Sequence, residues 1–457
     1  MTASAARPLT RSSIFQQAWP IMLGQASIPL VGIVDTAVIG NAGDTAALAG
    51  VALGVTITGL VFWTFGFLRM GMTGLTAQAD GAGDRAEVEA LLLRSLLIGG
   101  GIGVLLLLLR WPIGEVAFGV LAGSEAVHGE AGGYVAARFF GAPAALCVFA
   151  INGWLLGLGR TRDALALQIV MNIANIALDL WLVWGLGMGA RGVGMGTAGA
   201  EWIALATGLV IAGRVLGHSP LALLRGGGLS RAALFEGAAM RRLFAVNRDL
   251  MIRTIALLAM FVWFANSGAR LGAESLAANH VLLQFINVAA FVLDAFAFTA
   301  ESRVGHAIGA RSRGQFLRAI RLTGEFSLVS GIALMLLFLA IGPALIGLIA
   351  SDPAVRAEAV RFLPFAAAVP LLGMPSWLLD GIFIGATRGA ALRNAAIVAT
   401  ALYLATDLLL RPLGNSGVWI AISLSYVLRA GALGLYLPGL LRALEAGPPP
   451  PTAARAD

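Results

Sequence analysis

Runs of about twenty mostly apolar residues, separated by short polar turns, recur along this 457-residue chain. A run of that length crosses the hydrocarbon core of a bilayer as an α-helix, and in hydrocarbon only helices or closed barrels satisfy their own backbone hydrogen bonds. Twelve such runs divide the sequence, at approximately 14–40, 46–70, 88–110, 132–156, 163–186, 194–216, 243–267, 276–300, 318–348, 359–384, 390–410 and 417–441. Only 12% of the residues are charged and 58% are hydrophobic, whereas soluble domains carry roughly 25% charge. The expected fold class is all-α, a polytopic membrane protein with the lipid bilayer as its solvent.

The runs repeat as a set. With the second part moved back by 228 positions, Gly381, Gly385, Arg388, Ile397, Val398, Asp407 and Leu408 fall on Gly153, Gly157, Arg160, Ile169, Val170, Asp179 and Leu180. Six spans per half is an even number, so both copies enter the membrane from one side and the repeat is parallel. The expected architecture is twelve transmembrane helices in two pseudo-symmetric six-helix lobes around a central cavity. The ranges are an N-terminal tail over 1–13, a first lobe over 14–217, a linker over 218–240, a second lobe over 241–442 and a tail over 443–457. RGGGLS at 225–230 reads as a flexible linker, and AGPPPPTAARAD at the end reads as disordered.

All 31 basic residues are arginine, which excludes a Walker A lysine and a Schiff-base lysine. Most of these arginines fall in loops on the side of the N-terminus. By the positive-inside rule both termini are expected in the cytoplasm. This topology accounts for the net charge of +7 without nucleic acid as a partner. Cys147 is the only cysteine, so no internal disulfide forms. MTASAARPLTRSS leads directly into a full-length span, unlike a signal peptide. Gly194, Gly196 and Gly199 spell GxGxxG, but they open a span and follow no strand. The four histidines lack metal-ligand spacing, and neither HExxH nor GxSxG occurs, so no enzymatic activity and no cofactor are expected.

Ionisable residues inside spans are costly and point to function. Asp35 stands near the outer end of span 1, Asp179 near the outer end of span 5, and Thr197 near the outer start of span 6. Asn175 lies one turn before Asp179 on the same helix face. Three helices thus bring oxygen-bearing side chains to one depth. Two carboxylates in a low dielectric do not both remain ionised without a cation, so this cluster is expected to take H⁺ or a hard ion such as Na⁺. The halves differ here, because Asp35 aligns with Trp263 and Asn175 with Tyr403. Pro20 is a candidate kink in helix 1. Gln25, Asn152 and Glu201 are candidate cavity positions, with pairing to an arginine as the other reading of Glu201. In the second half Asp294, Glu301, Asp380 and Asp407 form a candidate network with Arg253 and Arg429.

WPIMLGQASIPLVGIVDTAVIG, FLRMGMTGLTAQADGAGD, GWLLGLGRTRD, NRDLMIR, LDGIFIGATR and the Asn175/Asp179 pair together resemble the multidrug and toxic compound extrusion family, and within it the DNA-damage-inducible F branch. The resemblance covers residues 13–442. It implies an antiporter that exchanges external H⁺ or Na⁺ for cationic or amphipathic toxic compounds and acts as a monomer. It carries the family's cation site onto Asp35, Asn175, Asp179 and Thr197, and its helix 1 kink proline onto Pro20. The acidic residue that another branch uses in helix 7 has no counterpart, since this helix offers Arg253 and Asn266. The alternative is a flippase for lipids or lipid-linked oligosaccharides from the same superfamily.

Overall fold

A computed structural model describes residues 9–41, 45–121, 124–220 and 236–445. The glycine-rich linker sequence at 225–230 and the tail beyond 445 lie outside the described residues. The first half comprises α1 (Arg11–Gly40), α2 (Thr45–Thr64), α3 (Phe67–Gly81), α4 (Arg85–Leu108), α5 (Arg110–Val120), α6 (Glu125–Phe139), α7 (Ala142–Gly157), α8 (Thr161–Asp179), a π turn (Leu180–Gly185) and α9 (Gly189–Leu216). The second comprises α10 (Gly237–Arg270), α11 (Ala273–Gly309), α12 (Arg313–Ile349), α13 (Pro353–Gly385), α14 (Gly389–Leu409), a 3₁₀ turn (Arg411–Leu413), α15 (Asn415–Gly434) and α16 (Leu437–Glu445). No strand occurs among the described residues.

Eleven of these segments are long and apolar enough to cross a bilayer, and α6 with α7, bent by 53°, supplies a twelfth. The fourth span therefore departs from the unbroken run expected at 132–156. It begins seven residues earlier, because Glu125, His128 and Glu130 mask its outer turns from a hydropathy reading. It also breaks at Phe140 and Gly141. A Cβ on Gly141 would collide with the Glu201 carboxylate and the Ala198 backbone on α9, while Trp202 Nε1 donates to the Phe140 carbonyl at 3.1 Å. Helix α9 thus wedges and staples the bend.

Polarity is inverted relative to a soluble protein. Leu348 and Leu435 are each 83% exposed, whereas Asp179 and Glu301 are completely buried. Exposed leucine is stable only against lipid, and a buried acid requires a partner or a task.

The repeat is visible as packing. On α7, Gly153 and Gly157 lie against the carbonyls of Arg69 and Thr73 on α3, where a side chain has no room. On α13, Gly381 and Gly385 lie against the carbonyls of Ala297 and Glu301 on α11. Every residue in the second set is 228 positions beyond its equivalent, so the same small-residue contact was built twice.

Two compact units result, and they exchange helix ends relative to the lobe ranges read from the sequence. One unit gathers the described parts of Met1–Gln16, Ala77–Asp84 and Ile252–Asp457; the other gathers Gln17–Thr76 and Arg85–Met251. Within the former, Gly81 packs on the His306 backbone and Gly309 on the Gln78 backbone. These pairs are equivalent under the 228-residue shift, so the contact is self-complementary.

Candidate functional site

Asp179 is the last α-helical residue of α8, and the π turn that follows starts at Leu180. Such insertions cluster at functional positions because they turn a side chain out of helical register. The Asp179 carboxylate comes to rest against Gly196 of α9, where a Cβ would overlap Oδ1. Glycine at 196 therefore serves to admit a carboxylate, a role that the failed nucleotide-motif spacing concealed. Asn175, one turn earlier, donates through Nδ2 to Thr197 Oγ1 at 3.2 Å. That hydroxyl in turn donates to the Val193 carbonyl at 3.1 Å.

Asp35 arrives from α1, and its carboxyl group lies within hydrogen-bonding range of Asp179. Asp35, Asn175, Asp179 and Thr197 lie next to one another on α1, α8 and α9. Asp35 Oδ1, Asn175 Oδ1 and both Asp179 oxygens are buried and make no hydrogen bond among the described residues, with the Asn175 side chain beside the Asp179 carboxylate. Four buried acceptor atoms thus lie together without a hydrogen bond, an arrangement that is costly unless something compensates it. No group of three His, Cys, Asp or Glu residues assembles among the described residues; the cluster offers carboxylate, amide and hydroxyl groups.

A polar stripe on α8 extends the contact with α1. Gln168, Asn172, Asn175 and Asp179 follow one another at helical spacing, and Asn172 Nδ2 donates to Ser27 Oγ at 2.9 Å. Beyond the cluster, Trp184 Nε1 donates to the Val38 carbonyl at 2.9 Å. Pro20 and Pro29 lie inside α1, which continues through both. Gln25 and Asn152 are half-buried on α1 and α7.

Glu201 is held by Arg138 of α6 in a two-pronged contact of 2.6 and 2.7 Å. Its position corresponds to the arginine-pairing reading. The guanidinium also lies 4.3 Å from the centroid of the Phe62 ring, and its charge reaches Asp35. Tyr134, one turn from Arg138, sits beside Thr58 and within electrostatic reach of Asp35. Neither Tyr134 nor Arg138 was picked out from the sequence. The available signal was their spacing on α6, where Glu130, Tyr134 and Arg138 follow at intervals of four.

The equivalent place in the other unit is filled differently. Asp407 Oδ2 accepts from Trp263 Nε1 at 2.8 Å, Ser267 Oγ at 2.9 Å and Arg270 at 3.1 Å. Arg253 pairs with Asp380 at 2.5 Å, and Arg429 approaches the same carboxylate at 3.6 Å while donating to Ser376 at 2.9 Å. Asp294 lies within electrostatic reach of Tyr426. Glu301 is fully buried on α11.

Comparison with known proteins agrees with this architecture. The MatE family model matches twice, over residues 20–181 and 250–409, once in each half of the repeat. DNA damage-inducible protein F of Escherichia coli (strain K12) is 38% identical over 422 residues, which cover 92% of this chain and 90% of that protein. The multidrug resistance protein MdtK of Edwardsiella ictaluri (strain 93-146) is 26% identical over 308 residues, 65% of each. Among solved structures, a MATE transporter in complex with MaL6 superposes with a TM-score of 0.84 at 17% identity, covering 95% of this chain and 97% of that one. An outward-facing multidrug resistance MATE transporter of the MOP superfamily gives 0.84 at 18% identity, over 95% and 96%. A twice-matching model, a close relative along nearly the whole chain and a shared twelve-span fold lead to one conclusion: this chain belongs to the MatE family of multi-pass membrane transporters and is not an enzyme.

Proposed function

We propose that the protein is a secondary active antiporter of the bacterial inner membrane. It exports cationic or amphipathic toxic compounds in exchange for external H⁺ or Na⁺ by alternating access, with Asp35, Asn175, Asp179 and Thr197 as the coupling site. The observation that carries this reading is the buried cluster of four acceptor oxygens that make no hydrogen bond among the described residues. Without a cation the carboxylates of Asp35 and Asp179 repel across a low-dielectric gap, which drives α1 away from α8. A bound proton or Na⁺ turns that repulsion into attraction. The separation of two helices is thereby set by the cation, and any compound that favours the separated arrangement disfavours the cation to the same degree.

Supporting the substrate class is the multidrug resistance name of the E. ictaluri relative. The orientation with both termini in the cytoplasm, and lobes over 14–217 and 241–442, rests on the arginine distribution, with Arg85, Arg160, Arg162, Arg241, Arg242, Arg388 and Arg393 on one side of the spans. All coupling groups come from one chain, so a monomer suffices. Ethidium efflux from proteoliposomes, with proton and sodium gradients imposed separately, tests the reading. Asp35→Asn is expected to abolish gradient-driven efflux while ethidium binding is retained. Continued gradient-driven efflux by that variant overturns the assignment.

A further inference from the structure

The unit that holds the cation cluster is hollow at one end. A cavity of 650 Å³ opens among the ends of α1, α2, α6, the π turn and α9, and Ile39, Asn41, Glu130, Val183 and Met188 line it. Ile39 and Val183 are buried; Ile39 stands one helical turn beyond Asp35 on α1, and Val183 lies four residues beyond Asp179 within the π turn. At the rise of an α-helix one turn is about 6 Å. On the α1 side the cavity wall at Ile39 therefore stands about one helical turn from Asp35.

Its wall carries an acid with no assigned task. Glu130 is half-buried, and its Oε2 lies toward Gly189, the left-handed residue (φ +56) that opens α9. It makes no ion pair with any described residue, and the neighbouring Arg191, exposed on α9, does not pair with it. On α6 the series continues inward at one-turn intervals to Tyr134, within electrostatic reach of Asp35, and then to Arg138. A half-buried carboxylate beside a polar cavity concentrates cations at its mouth.

We propose that this cavity is the external entry route of the coupling cation, with Glu130 as the residue that gathers it and the layer of Ile39 and Val183 as the barrier before Asp35 and Asp179. The inference rests on the coupling site and orientation proposed above. Cation entry is then a property of the first half alone.

Right-side-out vesicles loaded with ethidium, with external pH and external Na⁺ varied separately, provide the test. Glu130→Gln is expected to raise the cation concentration for half-maximal efflux about three- to tenfold, an effect that shrinks at high ionic strength, with the maximal rate retained. Because Cys147 is the only native cysteine, Met188→Cys in a Cys147→Ala background places a single thiol on the cavity wall. Labelling that thiol from outside with a membrane-impermeant methanethiosulfonate is expected to cut gradient-driven efflux at least fivefold, and it acts on protein that is already folded. Full efflux by the labelled protein overturns the route, and an unchanged half-saturation in Glu130→Gln overturns the role of the carboxylate. Asp35→Asn, assayed alongside, separates the two levels: if it still couples, the coupling site itself is wrong, whatever Glu130 does.

Discussion

Asp179 and Asp407 occupy equivalent places in two copies of one six-helix unit, and both are buried, yet they live in opposite chemistries. Asp407 Oδ2 receives three donors, one of them the Arg270 guanidinium. Neither Asp179 oxygen makes a hydrogen bond by geometry among the described residues, and the carboxylate lies between Asn175 and Asp35. The residue that makes the difference is the one at the shifted position: Trp263 donates to Asp407 where Asp35 confronts Asp179. A second substitution repeats the lesson. Gln25 and Asn152 are neutral and half-buried in the first half, and their equivalents Arg253 and Asp380 form an ion pair at 2.5 Å. Position 201 is Glu and its equivalent 429 is Arg, each paired with opposite charge from the fourth span of its own half. Asp380 and Asp407 in the second half are paired with Arg253, Arg429 and Arg270, whereas Asp35 and Asp179 in the first face one another as like charges.

The largest effect that would break this contrast is on transport. Asp179→Asn is expected to reduce gradient-driven ethidium efflux to background, whereas Asp407→Asn keeps the cation dependence and loses stability of about 2 to 3 kcal/mol as charged hydrogen bonds are replaced by neutral ones. Equal loss of coupling in both variants would show that the halves share the task. Gly196→Ala belongs with Asp179→Asn. The added methyl occupies the space of Asp179 Oδ1, so efflux is expected to fall steeply in a protein that still assembles in the membrane.

The next effect falls on folding. Arg253→Gln leaves Asp380 buried with Arg429 as its only remaining counter-charge, and breaking a buried pair in this way costs about 3 to 5 kcal/mol. Thermal unfolding in detergent should register it as a clear downward shift, with the half-saturating cation concentration unchanged in whatever protein remains folded. A changed half-saturation would draw this network into coupling. Trp263→Phe is milder. It removes one of three donors to Asp407 and is expected to cost about 1 to 2 kcal/mol.

Much of this contrast could be read from the sequence, because depth in a membrane helix is a matter of counting. Asp35, Asn175, Asp179 and Thr197 follow from span boundaries, one rise per residue and the rule that acids in spans are rare. Tyr134 and Arg138 escaped because their helix starts seven residues before its apolar run and then bends by 53°, so counting from the apparent boundary put them at no particular depth. Gly196 escaped for a different reason. A glycine whose purpose is the absence of a side chain is legible only once the occupant of the space is known. The donors to Asp407 were hidden likewise, since Arg270 reads as a loop residue beyond the expected span end at 267 but is the last residue of α10.

The smallest predicted effect probes how firmly α1 is held. In the first half Asn172 of α8 donates to the Ser27 hydroxyl on α1 at 2.9 Å. In the second, Thr400, its equivalent on α14, donates to the Ala256 backbone carbonyl on α10 at 3.2 Å. The two links start from equivalent residues but differ in kind. The Ser27 hydroxyl, which itself donates to the Gly24 carbonyl at 2.7 Å, is a side-chain acceptor, whereas a backbone carbonyl stays in place unless the helix itself deforms. Interhelical hydrogen bonds of this sort in membranes average about 0.6 kcal/mol. Ser27→Ala and Thr400→Val should therefore each lower stability by roughly that amount, near the resolution of a thermal unfolding measurement. Transport separates them. If α1 moves against α8 under control of the Asp35/Asp179 pair, Ser27→Ala shifts the half-saturating cation concentration by about two- to threefold, since 0.6 kcal/mol corresponds to a factor of roughly 3 in an equilibrium constant. Thr400→Val, acting on the half in which Asp380 and Asp407 are paired with arginine, leaves it where it was.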